Sequence, residues 1–158
     1  MRLKIVSLMG ALLLAAACSS TQNGAGANGA GGLNTAGTAT PGSQQDLAQN
    51  IGDRVFLTLN GYDLSPEAQA TLNKQAGWLQ KYQNVAVTVE GHADERGTRE
   101  YNLALGDRRA NSVRNYLIAN GVQPSRITTI SYGKERPAVP GHDESAWAQN
   151  RRAVTVVN

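Results

Sequence analysis

Between Ser19 and Gln45 the chain carries no charged side chain, one Leu and one Pro, and is otherwise Gly, Ala, Asn, Thr, Ser and Gln. Seven of the 17 glycines fall between Gly24 and Gly42. Such a stretch has no helical or strand period and too few apolar side chains to offset the entropy of ordering it. A folded domain must therefore be assembled from the residues after Gln45, and the residues before Ser19 must act by themselves. The stretch reads as a flexible tether, with a typical span of roughly 30 Å for a Gly-rich coil of this length. The G-x-G-x-x-G pattern at Gly24–Gly29 has no strand before it and no helix after it, so it reads as tether and not as a dinucleotide cradle.

The segment before the tether is an address. Arg2 and Lys4 precede an apolar run from Ile5 to Ala17, which ends in Leu14-Ala15-Ala16-Ala17-Cys18. The run is shorter than the about 20 residues a helix needs to cross a bilayer, and it has the size and flanks of a secretory signal. Small residues up to a cysteine resemble the bacterial lipobox. The match implies that Cys18, the sole cysteine of the chain, becomes the lipidated first residue of the mature protein. Ser19 in the next position leans toward the outer membrane. Removing the leader leaves 13 basic against 12 acidic residues. That balance argues against nucleic acid as a partner. The expected organisation is a signal peptide over 1–17, a lipidated N-terminus and linker over 18–50, and one folded domain over 51–158.

Within that domain Val55–Leu59 reads as a short β-rich strand. Ser65-Pro66-Glu67 then combines a capping hydroxyl, a proline at the first helical position and a first-turn acid, and opens a helix to about Tyr82. Val85, Val87 and Val89 alternate as a second strand. A polar loop, Gly91–Thr98, leads into a second helix over about Glu100–Ala119, stopped by Asn120-Gly121. A third strand over Arg126–Tyr132, a Pro-containing loop, a helical turn near Ala146–Asn150 and a last strand over Arg152–Val157 complete the order. The expected class is an α/β (α+β) sandwich, β-α-β-α-β-β, with a mixed four-stranded sheet and both helices on one face.

Plotted at 100° per residue, the second helix places Leu103, Gly106, Ala110, Val113 and Leu117 on a stripe facing the sheet. Asn102, Leu105 and Arg109 fall on the flank of that stripe, and Arg108 points away. The loop with His92, Asp94 and Glu95 leaves the carboxyl end of the second strand, where open α/β sheets bind ligands. Asp94 and Arg109 together suit a zwitterion: a carboxylate accepts from an ammonium, and a guanidinium grips a carboxylate by two bonds. Spacing alone equally fits a structural pair bonded to each other.

Gly91-His92-Ala93-Asp94-Glu95-Arg96-Gly97-Thr98 and Glu100–Ala110 strongly resemble the family of OmpA-like C-terminal domains. Ser131–Pro137 and Asn150–Val154 do so as well, and the likeness runs from about Val55 to the C-terminus. The resemblance implies a non-enzymatic domain that binds the free end of diaminopimelate in the peptidoglycan stem peptide. It places that contact on Asp94 and Arg109, with Thr98, Asn102 and Leu105 supporting the pocket. It further implies a cell-wall tether of the outer membrane, and a periplasmic β-propeller protein of the Tol system as a partner competing for an overlapping surface. No cofactor is implied. Other OmpA-like accessory wall binders share these motifs. The sequence departs from the family at Leu57-Thr58, where Phe-Asp is common, and at Asn60, where a second Asp is common, so no first-strand site is assigned.

Other chemistries find little support. His92, Asp94, His142, Asp143 and Glu144 lack metal-ligand spacing. Ser131-Tyr132-Gly133-Lys134 fits S-x-x-K without its companion motifs. Asp94 and Glu95 are neighbours, not the opposed carboxylates of a glycosidase. Trp78 is expected in the core, Trp147 is a candidate for stacking on sugar, and one of Arg151 and Arg152 is a candidate for the pocket.

Overall fold

The computed structural model describes residues 39–158; the leader, Cys18 and most of the tether lie outside them. The elements are α1 (Gln44–Asp46), running on as a π-helical turn (Leu47–Ile51), β1 (Arg54–Phe56), α2 (Pro66–Lys81), β2 (Val87–His92), α3 (Arg99–Ala119), β3 (Ile127–Gly133) after a 3-10 turn at Pro124–Arg126, α4 (Glu144–Asn150) and β4 (Arg152–Val157). The expected order of strands and long helices is present.

The sheet order is β1-β4-β2-β3. β2 and β3 pair in parallel, and β4 lies antiparallel to both β1 and β2. The last strand thus inserts between the first two, which run in the same direction without touching. α2 and α3 bury Leu72, Ala76, Leu79, Ala110, Val113 and Leu117 against Val55, Val87, Val89, Ile127 and Ala153. Trp78 is buried with them, as expected of a core residue.

The helix starts follow local chemistry. Ser65 Oγ accepts from Ala68 N, and Thr98 Oγ1 accepts from Tyr101 N, each at 3.2 Å. Each satisfies an N–H that the first turn leaves open. At the other end of α2, Arg126 donates to the carbonyls of Leu79, Tyr82 and Val85 at 2.8–2.9 Å.

Two expectations need correction. Ordered structure begins before residue 51: Asp46 accepts from Trp78 Nε1 at 2.9 Å and Leu47 is fully buried. Gln44 acts as a rung beyond the short β1, its side chain accepting from Val157 N at 2.7 Å and donating to Thr155 O at 3.4 Å. The polar composition of 39–50 hides this because the anchoring partners lie far along the chain. Leu103, placed on the buried stripe, is 51% exposed. The stripe is rotated toward Asn102, Leu105 and Arg109, all buried. The segment after β1 covers that side of α3 and supplies the carbonyls that let an arginine be buried there.

Candidate functional site

α3 lies directly on β2. An ideal Cβ at Gly91 would come within 1.8 Å of the Gly106 carbonyl oxygen, and one at Gly106 within 2.2 Å of Ser131 Oγ. Asp94 follows Gly91 by three residues and Arg109 follows Gly106 by three. The close backbone approach therefore brings the loop after β2 against the next turn of α3.

Arg109 is 0% exposed. Its Nε donates to Gly61 O at 2.8 Å, Nη1 to His92 O at 2.7 Å and Nη2 to Thr58 O at 2.8 Å. Burial lowers its pKa to about 10, against the pull of the Asp94 charge, which favours the cation. It therefore stays protonated at neutral pH. Three carbonyl dipoles replace its hydration, which is what allows the charge to sit inside.

Asp94 is 4% exposed. Its Oδ1 accepts from the Arg96 backbone N–H and from Arg96 Nε, both at 3.1 Å. Its Oδ2 accepts from Arg96 Nη2 at 2.6 Å and from Arg151 Nη1 at 3.3 Å. Burial would raise its pKa, but the bonds from Arg96 and Arg151 outweigh this and hold it below the usual carboxylate range. Arg151 is itself fixed, donating to Leu57 O at 3.3 Å and to Glu144 Oε1 at 2.5 Å.

Asp94 and Arg109 thus sit at one site with no hydrogen bond between them; each is held by other groups. The paired arrangement left open by the sequence is not the one present. The remaining expected residues converge here too. Asn102 Nδ2 donates to Arg96 O at 2.8 Å and Thr98 O at 3.1 Å, pinning both ends of the turn over Gly97. Thr98 caps α3, and Leu105 is buried one turn before Arg109. Cys18 lies outside the described residues.

Several contributors carry no assignment from sequence. Arg96 lies over the Trp147 ring, 4.0 Å from guanidinium carbon to ring centre. Glu95 accepts from Trp147 Nε1 at 2.9 Å and meets His142 Nδ1 at 2.8 Å. Lys134 Nζ donates to Glu95 O at 3.1 Å and Gly97 O at 2.7 Å. The Asp94–Arg96 spacing just before a glycine is the one available signal, since an Asp side chain at i bonds the backbone at i+2 in such turns. Arg151 is the member of its pair that reaches the site. Arg152 donates instead to Asn150 O at 3.3 Å and Arg136 O at 3.1 Å. Ser131 Oγ donates to Leu103 O at 2.6 Å, so Ser131 and Lys134 are each committed to backbone carbonyls. Among the described residues no three His, Cys, Asp or Glu side chains gather as a metal site.

A cavity of about 360 Å³ opens beside this cluster, lined by Leu59, Asn60, Arg96, Gly97 and Tyr101. At Leu57, Thr58 and Gly61 the backbone carbonyls hold Arg151 and Arg109, and the Leu57 side chain is buried in the core. Asn60 adopts a left-handed conformation, φ +55°, which Asn tolerates better than most residues.

A family model described as the OmpA family matches residues 58–151. The peptidoglycan-associated lipoprotein of Agrobacterium fabrum is 54% identical over 153 residues, covering 97% of this chain and 86% of that protein. The crystal structure of the peptidoglycan-associated lipoprotein from Burkholderia pseudomallei superposes with a TM-score of 0.67 at 38% identity, over 72% of this chain and 100% of that one. The C-terminal domain of Helicobacter pylori MotB gives a TM-score of 0.63 at 22% identity, over 67% of this chain and 84% of that one, a likeness of fold alone.

Proposed function

The chain belongs to the OmpA family, and from that premise we propose that it binds peptidoglycan non-covalently, through the free end of diaminopimelate in the stem peptide. The observation that carries this reading is the joint burial of Asp94 and Arg109 beside one open cavity. The free end of diaminopimelate is a zwitterion. Asp94 supplies a carboxylate for its ammonium. Arg109 spends three N–H groups on carbonyls of the five any guanidinium carries, and so keeps donors for its carboxylate. Asn102, Thr98 and Leu105 hold the loop and the wall.

The domain acts by holding, without bond breaking. Asp94 is bonded by two guanidiniums and Glu95 by His142 and Trp147, so neither is placed as a general acid. Lipid on Cys18 anchors the other end in the outer membrane, and the segment between Cys18 and the first helix at Gln44 spans the gap to the wall. The name its relatives carry, peptidoglycan-associated lipoprotein, supports both ends of this reading. The Tol-system β-propeller protein fits as the competing partner.

Co-sedimentation with purified sacculi tests the wall contact. The protein is expected to pellet with diaminopimelate-type wall, to stay in solution with lysine-type wall, which lacks the free zwitterionic end, and to release no soluble fragments. Equal binding to both walls rejects the assignment.

A further inference from the structure

The carboxylate that the proposed function assigns to an incoming ammonium already has cationic partners within the chain. Arg96 closes a fork on Asp94, Nε to Oδ1 at 3.1 Å and Nη2 to Oδ2 at 2.6 Å, and Arg151 reaches Oδ2 at 3.3 Å. The two arginines are not alike. Arg151 is buried and also tied to Leu57 O and Glu144, so it belongs to the frame. The Arg96 side chain is 34% exposed, and its guanidinium has no hydrogen bond to any described residue except Asp94. It rests on the face of Trp147 with Glu144 at 3.9 Å. It also lines the cavity beside Leu59, Asn60 and Tyr101, whereas Asp94 and Arg109 do not. A flat cation can shift across an aromatic face with little loss, because the attraction is spread over the ring.

Resting on that reading of the site, we propose that Arg96 is a specificity-determining residue, an internal stand-in for the ligand's ammonium. It fills Asp94 when the site is empty and gives way, across the Trp147 ring toward Glu144, only to another cation. The exchange replaces the two-bond fork of Arg96 by the charge-assisted contact of the ammonium, with Arg151 still in place, so the buried carboxylate is never left unpaired. A neutral amide cannot displace a guanidinium from a carboxylate on these terms. Diaminopimelate whose side amine is acylated in a cross-link is thus refused at Asp94, and free ends are selected.

Three proteins test this as the full chain in detergent micelles: the parent, Arg96→Gln and Arg96→Lys. They are titrated calorimetrically with L-Ala-γ-D-Glu-meso-diaminopimelate, its side amine either free or acetylated. Arg96→Gln is expected to bind the free-amine tripeptide roughly three- to tenfold tighter, since the competing contact is a partly exposed ion pair. Arg96→Lys, a weaker one-point competitor, is expected to fall between Gln and the parent. The acetylated tripeptide, refused by the parent because its amide cannot displace the guanidinium, is expected to gain at least as much in Arg96→Gln, so that discrimination between the two tripeptides shrinks. Equal or weaker binding of the free-amine tripeptide by a folded Arg96→Gln overturns the stand-in role. If that variant does not fold, equal or weaker binding by Arg96→Lys overturns it. Asp94→Asn separates the two levels: parental binding by that variant rejects Asp94 as the ammonium acceptor, whereas weakened binding there with no gain at Arg96→Gln rejects only the stand-in.

Discussion

Gly91 of β2 and Gly106 of α3 touch backbone to backbone, and no side chain fits between them: a Cβ on Gly91 would meet the Gly106 carbonyl oxygen at 1.8 Å. Because Asp94 and Arg109 each stand three residues further on, this contact fixes how close the two charged groups come. The site's geometry is set by two residues that have no side chain to offer a ligand.

Gly106→Ala is accordingly expected to push α3 off the sheet. A Cβ there meets Ser131 Oγ at 2.2 Å and Gly91 O at 2.8 Å. Overpacking of this kind costs about 1–3 kcal/mol, and sacculus binding is expected to fall with it as Arg109 leaves its carbonyls. Gly77→Ala is the counter-case. Gly77 lies in α2 with nothing within 4 Å of an added Cβ, so the change is expected to stabilise by about 0.5–1 kcal/mol. Urea unfolding of both variants checks the pair; equal effects of the same sign reject the packing argument.

Asp94→Asn and Arg109→Lys are expected to weaken sacculus binding by about 2–5 kcal/mol, the range for one partner of a buried charge contact. Both are also expected to melt lower. Arg109→Lys leaves at least one of the Thr58, Gly61 and His92 carbonyls without its fork, and Asp94→Asn takes from Arg96 the one carboxylate it hydrogen-bonds among the described residues and leaves Arg151 with Glu144 alone. Arg108 is exposed, its nearest aromatic the Tyr62 ring at 5.7 Å. Arg108→Lys is expected to change neither property. Binding isotherms below each variant's own melting range separate the effects, and parental affinity in folded Arg109→Lys removes Arg109 from the contact.

Elements governed by neighbours in sequence are legible. Ser65-Pro66 and Thr98 mark their helices because capping is a bond from a side chain to an N–H three residues on. The last strand, Arg152–Val157, matches its expected span. Contacts between distant segments are not legible. Gln44 and Asp46 are ordinary polar residues until Thr155, Val157 and Trp78 are brought to them. Arg109 stands out as a site residue, but not as one seated on three carbonyls, since a carbonyl carries no mark in a sequence. For the same reason Arg96 passes as an ordinary charge and the sequence does not say which of Arg151 and Arg152 reaches the site, and helical periodicity puts Leu103 inside although the covered side of α3 lies toward Arg109.

Cys18→Ser is expected to leave the domain folded and release the protein from membranes. None of the described helices is long and apolar enough to cross a bilayer, and lipid on Cys18 is the proposed anchor. Fractionation in cells with digested wall, with the mature chain length confirmed, provides the check. Continued recovery with the outer membrane rejects the lipid anchor.

His92 gives the fold a dependence on pH that is separate from the site. It is 1% exposed at the end of β2, its ring 5.5 Å from that of Tyr132 and its Nε2 3.4 Å from Glu90. Burial, reinforced by the Arg152, Arg136 and Arg54 charges, lowers its pKa to about 4. The folded protein therefore keeps His92 neutral where the unfolded chain, titrating near 6.5, binds a proton. Its contribution to stability is full above pH 6.5 and is lost progressively as pH falls toward 4, at up to about 1.4 kcal/mol per pH unit. The carboxylates act in a lower window: the Asp94 pKa is depressed, so that contribution persists until the pH approaches the unfolded carboxyl's own range. His92→Phe keeps an aromatic ring beside Tyr132 and removes the titration. Its urea unfolding free energy is expected to stay nearly flat between pH 6.5 and 4.5 while that of the parent declines. The backbone carbonyl of His92 still accepts from Arg109 in the variant, so the flattening reports the imidazole alone. A parental slope in His92→Phe assigns the acid sensitivity to another group.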